Sequence, residues 1–184
     1  MAQAVPATAP AATPIAAPAP PSTPAIQAMD ADSQRVIVNT PGRVTAVFLC
    51  TEESQKEIRD AAGKLDKFRG LSNFRVIAVV DLRDSLGNMV EGIVRWRMQE
   101  DLDEESERLA PFYRANGNNK EPRPDLCAIP DFNGAVCKSL GWPKVSNKLR
   151  CVVFGPDGQP LQRWDELKNY TELYDVVAKA LGKN

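Results

Sequence analysis

Histidine is absent from all 184 residues. That removes the Ser-His-Asp and Cys-His nucleophile systems and every histidine-containing zinc site. An excess of one charge is also missing, since 23 basic and 24 acidic residues leave a net charge of -1. The pI of about 5.6 fits that balance and excludes the broad positive field of a general nucleic-acid binder. No stretch approaches the roughly 18 consecutive apolar residues of a membrane span. No internal repeat is visible, and the length suits one ordinary domain with an appendage.

What the chain has in excess lies at its start. Residues 1–28 contain 11 alanines and 7 prolines, and no Lys, Arg, Asp or Glu. Prolines at this density remove N–H donors and push their predecessors toward extended backbone, which predicts a disordered, polyproline-like tether over 1–32. Such a tether would hold a domain, here 33–184, away from a surface. The segment lacks the basic and apolar regions of a secretory signal. Met1-Ala2-Gln3-Ala4 instead matches the small residues that follow a cleavage site, with a start methionine added. This points to a periplasmic or secreted protein whose leader has been removed.

The remainder alternates between strand and helix patterns. Gln34–Val38 reads as a short strand ending in the Asn39-Thr40-Pro41-Gly42 turn, and Val44–Cys50 as a strand buried on both faces. Ile58, Ala61, Ala62, Leu65 and Phe68 mark a helix that Thr51 or Ser54 can cap and Gly70 ends. Phe74–Val80 is a second buried strand, so the two strands and the helix form a parallel βαβ unit. Residues 87–115 predict one or two helices, with Met89, Ile93 and Trp96 on one apolar face and Leu102, Leu109, Phe112 and Tyr113 on another. A short strand over Asp125–Ile129 and a short helix over 134–140 follow. Leu149–Phe154 and Pro160–Trp164 form a hairpin about Gly155-Pro156-Asp157-Gly158, and Leu173, Val176, Val177, Ala180 and Leu181 stripe a terminal helix.

Asp131-Phe132-Asn133-Gly134-Ala135-Val136-Cys137-Lys138 and Cys151-Val152-Val153-Phe154-Gly155-Pro156-Asp157-Gly158 carry a family likeness. With the order of elements, they resemble the peroxiredoxin-like and TlpA-like branch of the thioredoxin fold. The nearest resemblance is to YtfJ-type bacterial periplasmic proteins. It implies an α/β, three-layer thioredoxin-like fold, with a mixed central sheet, flanking helices and a helical insertion over about 87–115. The departures bear on function. Where the family places Cys-x-x-Cys, at the start of the helix after the first buried strand, this chain has Glu52-Glu53-Ser54-Gln55. The Thr-x-x-Cys of peroxiredoxins is missing there too. Leu149 or Arg150 stands where the family keeps a cis-proline.

Cys50, Cys127, Cys137 and Cys151 permit three fully paired connectivities, and free buried thiols are the alternative. The resemblance implies Cys50–Cys151 across neighbouring strands at the active-site end of the sheet, and a local Cys127–Cys137 bridge. Cys50 and Cys151 are also the candidate redox pair of a noncanonical thiol-disulfide oxidoreductase. Their scattered spacing holds no metal.

Arg75 and Arg150 sit in otherwise apolar strands and call for carboxylate partners. Arg83, Asp81 and Asp84 fall just beyond a parallel strand, where open α/β sheets bind ligands. Glu52, Glu53, Asp81 and Arg150 are therefore the candidate ligand pocket, with an ordinary ion-pair network as the competing account. Arg95, Arg97 and Arg114 stay wet while Trp96 packs into the core. The acidic run Glu100–Glu107 lacks the central glycine of a calcium loop and reads as a solvated helix start. Asn169-Tyr170-Thr171 matches an N-glycosylation sequon, but a helix cap explains it more simply. No cofactor is called for. The reading is an exported binding or interaction module for a protein or small-molecule partner, without nucleic acid. Specificity is expected in the 87–115 insertion.

Overall fold

The structure is a computed structural model and describes residues 23–84 and 90–183. Two apolar runs organise it. β3 (Val44–Cys50) is buried at every position and β4 (Phe74–Asp81) is nearly so. They pair in parallel from Val44↔Phe74 to Cys50↔Val80. β5 (Cys127–Asp131) joins β4 in parallel, with Asp81 opposite Asp131. On the other side β6 (Arg150–Phe154) lies antiparallel to β3, and β7 (Pro160–Trp164) antiparallel to β6. The order is β5-β4-β3-β6-β7, a mixed sheet whose central strand is the most apolar.

Alternation along the strands supplies two cores. One face carries Ala46, Phe48, Cys50, Val76 and Cys151, packed against α1 (Gln55–Gly63) and α4 (Tyr170–Ala180). α2 (Glu91–Ala115) covers the β4–β5 end of that same face. The opposite face carries Val47, Leu49, Ile77, Val79 and Ile129 under α3 (Ala135–Ser139) and Trp142. That is three layers around a mixed sheet, and no helix among the described residues is long and apolar enough to cross a membrane.

Several expectations are corrected. The tether predicted over 1–32 overlaps the fold, because β1 (Gln27–Met29) pairs antiparallel with β2 (Arg35–Ile37). Ile26, Ala28 and Ala31 are buried, and the Ala31 amide donates to Ala128 O. Residues 1–22 lie outside the described residues. α2 is a single helix whose inward face is Val94, Met98, Leu109 and Tyr113. Ile93 and Trp96 fall on its solvent side, Trp96 being 55% exposed, and Met89 lies outside the described residues. A spacing of four continues through Val94 and Met98, which places Trp96 off the stripe. The acidic run occupies the middle of α2, where Asp101, Asp103 and Glu105 meet Arg59, Arg123 and Arg108. β5 continues through Pro130, which an edge strand tolerates because one side needs no donor.

Candidate functional site

The carboxyl ends of β3, β4 and β5 converge on one edge of the sheet, and Cys50, Asp81 and Asp131 mark it. Asp81 and Asp131 are in-register neighbours, each only 3% exposed. Two adjacent buried carboxylates repel unless each is compensated. Arg83 compensates Asp81, with Nε to Oδ1 at 2.9 Å and Nη2 to Oδ2 at 2.7 Å. Its Nη1 reaches Pro143 O at 2.7 Å, tying the β4 end to the loop after α3. Asp131 accepts from the Cys137 amide at 2.7 Å, the third residue of α3. Asn133 Oδ1 accepts from the Ala135 amide. The helix start is thus capped from upstream, because its own cap residue, Gly134, has no side chain to offer.

Gly134 is required there. Its φ is +73°, and a Cβ would lie 2.5 Å from Arg83 Cδ. Burial pushes the Asp81 carboxyl up, but the hydrogen bonds and charge of Arg83 outweigh it and hold the group below the usual carboxylate range.

No thiol at this edge is prepared for nucleophilic chemistry. Burial, with Asp81 nearby, pushes Cys50 up to about 12. Burial and then Asp131 and Asp81 push Cys137 higher still, and burial alone raises Cys151. Cys127 is pushed up to about 12 by burial. A reactive thiol needs the opposite shift.

All four cysteines are buried and stand unbridged in this structure. Cys151 faces Phe48 across the β3–β6 ladder, so Cys50 is its diagonal neighbour on the same face. Diagonal pairs lie about 7–8 Å apart, beyond the span a disulfide closes. Cys127 begins β5, whereas Cys137 is bonded to Asp131 at the other end of that strand. About 13 Å of strand separates those ends.

The proposed grouping of Glu52, Glu53, Asp81 and Arg150 does not form an ion-pair cluster. Glu52 and Glu53 are exposed in a 3-10 turn before α1, and Asp81 is taken by Arg83. Arg150 gives Nη1 to Lys144 O and lies over the Trp142 ring. Arg75 likewise finds carbonyls, of Ile37 and Val38, rather than a carboxylate. Ser54 uses its hydroxyl on the Thr51 amide at 3.1 Å and leaves α1 without a side-chain cap. Asn169 does cap α4, accepting from the Thr171 and Glu172 amides.

Beside this edge a cavity of about 440 Å³ opens between α1 and the loops before β6 and α4. Glu57, Lys148, Glu166, Lys168 and Tyr170 line it. Glu166 bridges Lys148 and Lys168 at 2.9 and 3.1 Å. Sequence reasoning missed this groove, whose residues come from three separated segments. It also missed the roles of Asp131 and Cys137, although Asp-x-x-Gly ahead of a short helix is the visible trace of that cap.

The backbone path is similar to that of a thiol:disulfide interchange protein from Chlorobium tepidum. That match has a TM-score of 0.53 at 13% identity and covers 91% of this chain and all of that one. The pneumococcal exposed lipoprotein thioredoxin from Streptococcus pneumoniae matches with a TM-score of 0.53 at 10% identity, over 85% and 99% of the two chains. StoA from Bacillus subtilis matches with a TM-score of 0.50 at 13% identity, over 85% and 98%. The fold is thioredoxin-like. At these identities the likeness is one of fold. No protein-family model matches the chain, and no curated protein does. The start of α1, where the sequence resemblance implies a dithiol, carries Glu52-Glu53-Ser54-Gln55.

Proposed function

We propose that the chain is an exported thioredoxin-fold protein that binds a partner at the α1 edge without redox chemistry. The observation that carries this reading is the α1 start itself. It offers two exposed glutamates and a serine spent on the backbone, and no thiol. The raised, buried cysteines support the same reading from the side of reactivity. The mixed-charge groove beside α1 suits a polar protein segment or small molecule as partner. Export rests on the Ala/Pro-rich leading segment and on fold relatives that include an exposed lipoprotein.

The competing reading is a noncanonical thiol-disulfide oxidoreductase. It is favoured by one observation, that Cys50 and Cys151 share a face on neighbouring strands. In that chemistry a shift of the two strands that brings the diagonal pair into bonding range would let the thiols pass two electrons and two protons to a substrate disulfide and close a bridge between themselves. The test is iodoacetamide labelling followed by intact mass, natively and in guanidinium, alongside dithiothreitol-driven reduction of an oxidised peptide. Binding without redox chemistry requires no native labelling, four labels after unfolding, and a reduction rate equal to that of buffer. A faster rate that Cys50→Ser abolishes establishes the oxidoreductase instead.

A further inference from the structure

The opposite edge of the sheet, at the amino ends of β3, β4 and β5, holds a second cavity of about 220 Å³. Five separated segments line it, contributing Arg43, Arg69 to Ser72 with Phe74 and Arg75, Tyr113, Asn118 with Lys120, and Asp125. Its cations are Arg43, Arg69, Arg75 and Lys120, against the single carboxylate of Asp125.

Arg69 is the unusual member. It is 94% buried by its 6% exposure, its Nε has no hydrogen-bond partner, and no carboxylate among the described residues ion-pairs with it. The nearest acids are already used. Arg108 takes Asp66 through both Nη groups, at 2.5 and 3.0 Å, and Glu105 at 2.8 Å. A guanidinium withdrawn from water without a counter-ion is costly, and chains normally pair it. Here the backbone is built to keep it in place. Arg69 leaves the 3-10 turn Asp66–Phe68 in extended geometry. Gly70 then turns back at φ +85°, so close that a Cβ would meet Tyr113 Cα at 2.9 Å. Asn116 and Asn118 hold the Arg69 and Gly70 carbonyls at 2.7 and 3.0 Å. Arg75 projects to the other face of β4, where Nη2 meets the Ile37 and Val38 carbonyls, and adds positive charge at the rim.

We infer that this cavity is a binding site for a small dianionic oxyanion of the phosphate class, held by Arg69 with Arg43 and Lys120 at its mouth. Guanidinium forks match two oxygens of a phosphoryl group at once. The volume admits a phosphoryl group with a small organic substituent and no folded partner. A dianion also meets the surplus of cations, which a single charge would leave unbalanced. The site is independent of the α1 edge and uses none of its residues.

Calorimetric titration at constant ionic strength tests it, with inorganic phosphate, glycerol 3-phosphate and sodium chloride as the three titrants. Saturable 1:1 binding of either phosphate, with none for chloride, is the expected result. Tighter binding of glycerol 3-phosphate identifies an organic phosphoryl group as occupant, and tighter binding of phosphate identifies the free ion. Arg69→Met should abolish binding while leaving the melting temperature without phosphate unchanged or higher, because an unpaired buried charge has been removed. Arg43→Ala, at the mouth, should fold normally and raise Kd by about tenfold, the scale of one lost charged hydrogen bond. A response that does not saturate, or is the same for chloride, overturns the site. So does wild-type affinity in Arg69→Met or Arg43→Ala.

Discussion

Asp81 and Asp131 face each other across adjacent parallel strands, and their different partners decide what each contributes. Asp81 is held by a guanidinium that is about one-fifth exposed, so its pair is weaker than a fully buried one. Asp81→Asn should cost about 2 kcal/mol at neutral pH, measured by urea unfolding. The sign with pH follows from the lowered carboxyl. The unfolded chain takes up the proton first as pH falls, near its ordinary value of about 3.9. The stabilisation is therefore complete above that value and drains away as pH drops through the lower folded one. Wild type and Asp81→Asn should converge in stability once pH has fallen below that folded value. The tryptophans give a second contrast. Trp142 is 4% exposed, donates Nε1 to Asp165 at 2.6 Å, and has Arg163 stacked 4.0 Å over its ring. Trp142→Ala should cost about 3–5 kcal/mol. Trp96→Ala should stay within about 0.5 kcal/mol, because its ring faces water. Equal losses in the two variants would place Trp96 in a core.

At the scale of elements, α3 has five residues and depends on donors being met from outside it. Asp131 and Asn133 meet two, and Gly134 lets Arg83 cross closely enough to hold Asp81. Gly134→Ala strains φ and displaces a tethered side chain, and should cost about 2 kcal/mol or more in thermal or urea unfolding. In Asp81→Asn the same glycine substitution should cost less, since Arg83 is then free to move. That non-additivity is the readout. The elements legible in the sequence were those whose signal is local. β3, β4 and β6 were apolar runs, the β6–β7 turn was written in Gly155-Pro156-Asp157-Gly158, and α4 carried its own stripe and Asn169 cap. β1 was hidden because a three-residue strand among prolines has no periodicity, and Ile26 and Ala28 matter only once β2 lies beside them. The first half of α2 was misread because it packs along Val94 and Met98 rather than Ile93 and Trp96, whereas Leu102, Leu109, Phe112 and Tyr113 do share the expected apolar face. The α1 edge was located through its missing thiols. The clustering of Arg69 with Arg43 and Lys120 was not legible, since it depends on five segments meeting.

Taken as a whole, the molecule closes one face of its sheet with the β1–β2 hairpin, so the residues just after the proline-rich stretch are part of the fold. Ile26 anchors them. It is 7% exposed, its amide donates to Asn39 Oδ1 at 2.8 Å, and its carbonyl accepts from Val38. Farther along, Asp30 O accepts from Arg95, and Asp32 forms a two-pronged pair with Arg123 at 2.8 and 2.9 Å. Arg123 also reaches Asp103 on α2, so the segment links β5, α2 and the hairpin. A passive tether would be removable without consequence. Here, deletion of residues 1–32 should lower the melting temperature and expose the face of Val47, Ile77 and Ile129, raising the binding of a hydrophobic dye. Ile26→Ala isolates the buried side chain and should cost about 2 kcal/mol in urea unfolding, at the low end for a core isoleucine because the site lies at the rim. Asn39→Ala should cost a similar amount, since it strands the Ile26 amide and frees the Pro24 and Gly158 carbonyls. If both variants match wild type, the hairpin is peripheral and the fold begins at β3. If both lose stability together, and less than additively, the segment from Ile26 to Asn39 unfolds as one unit.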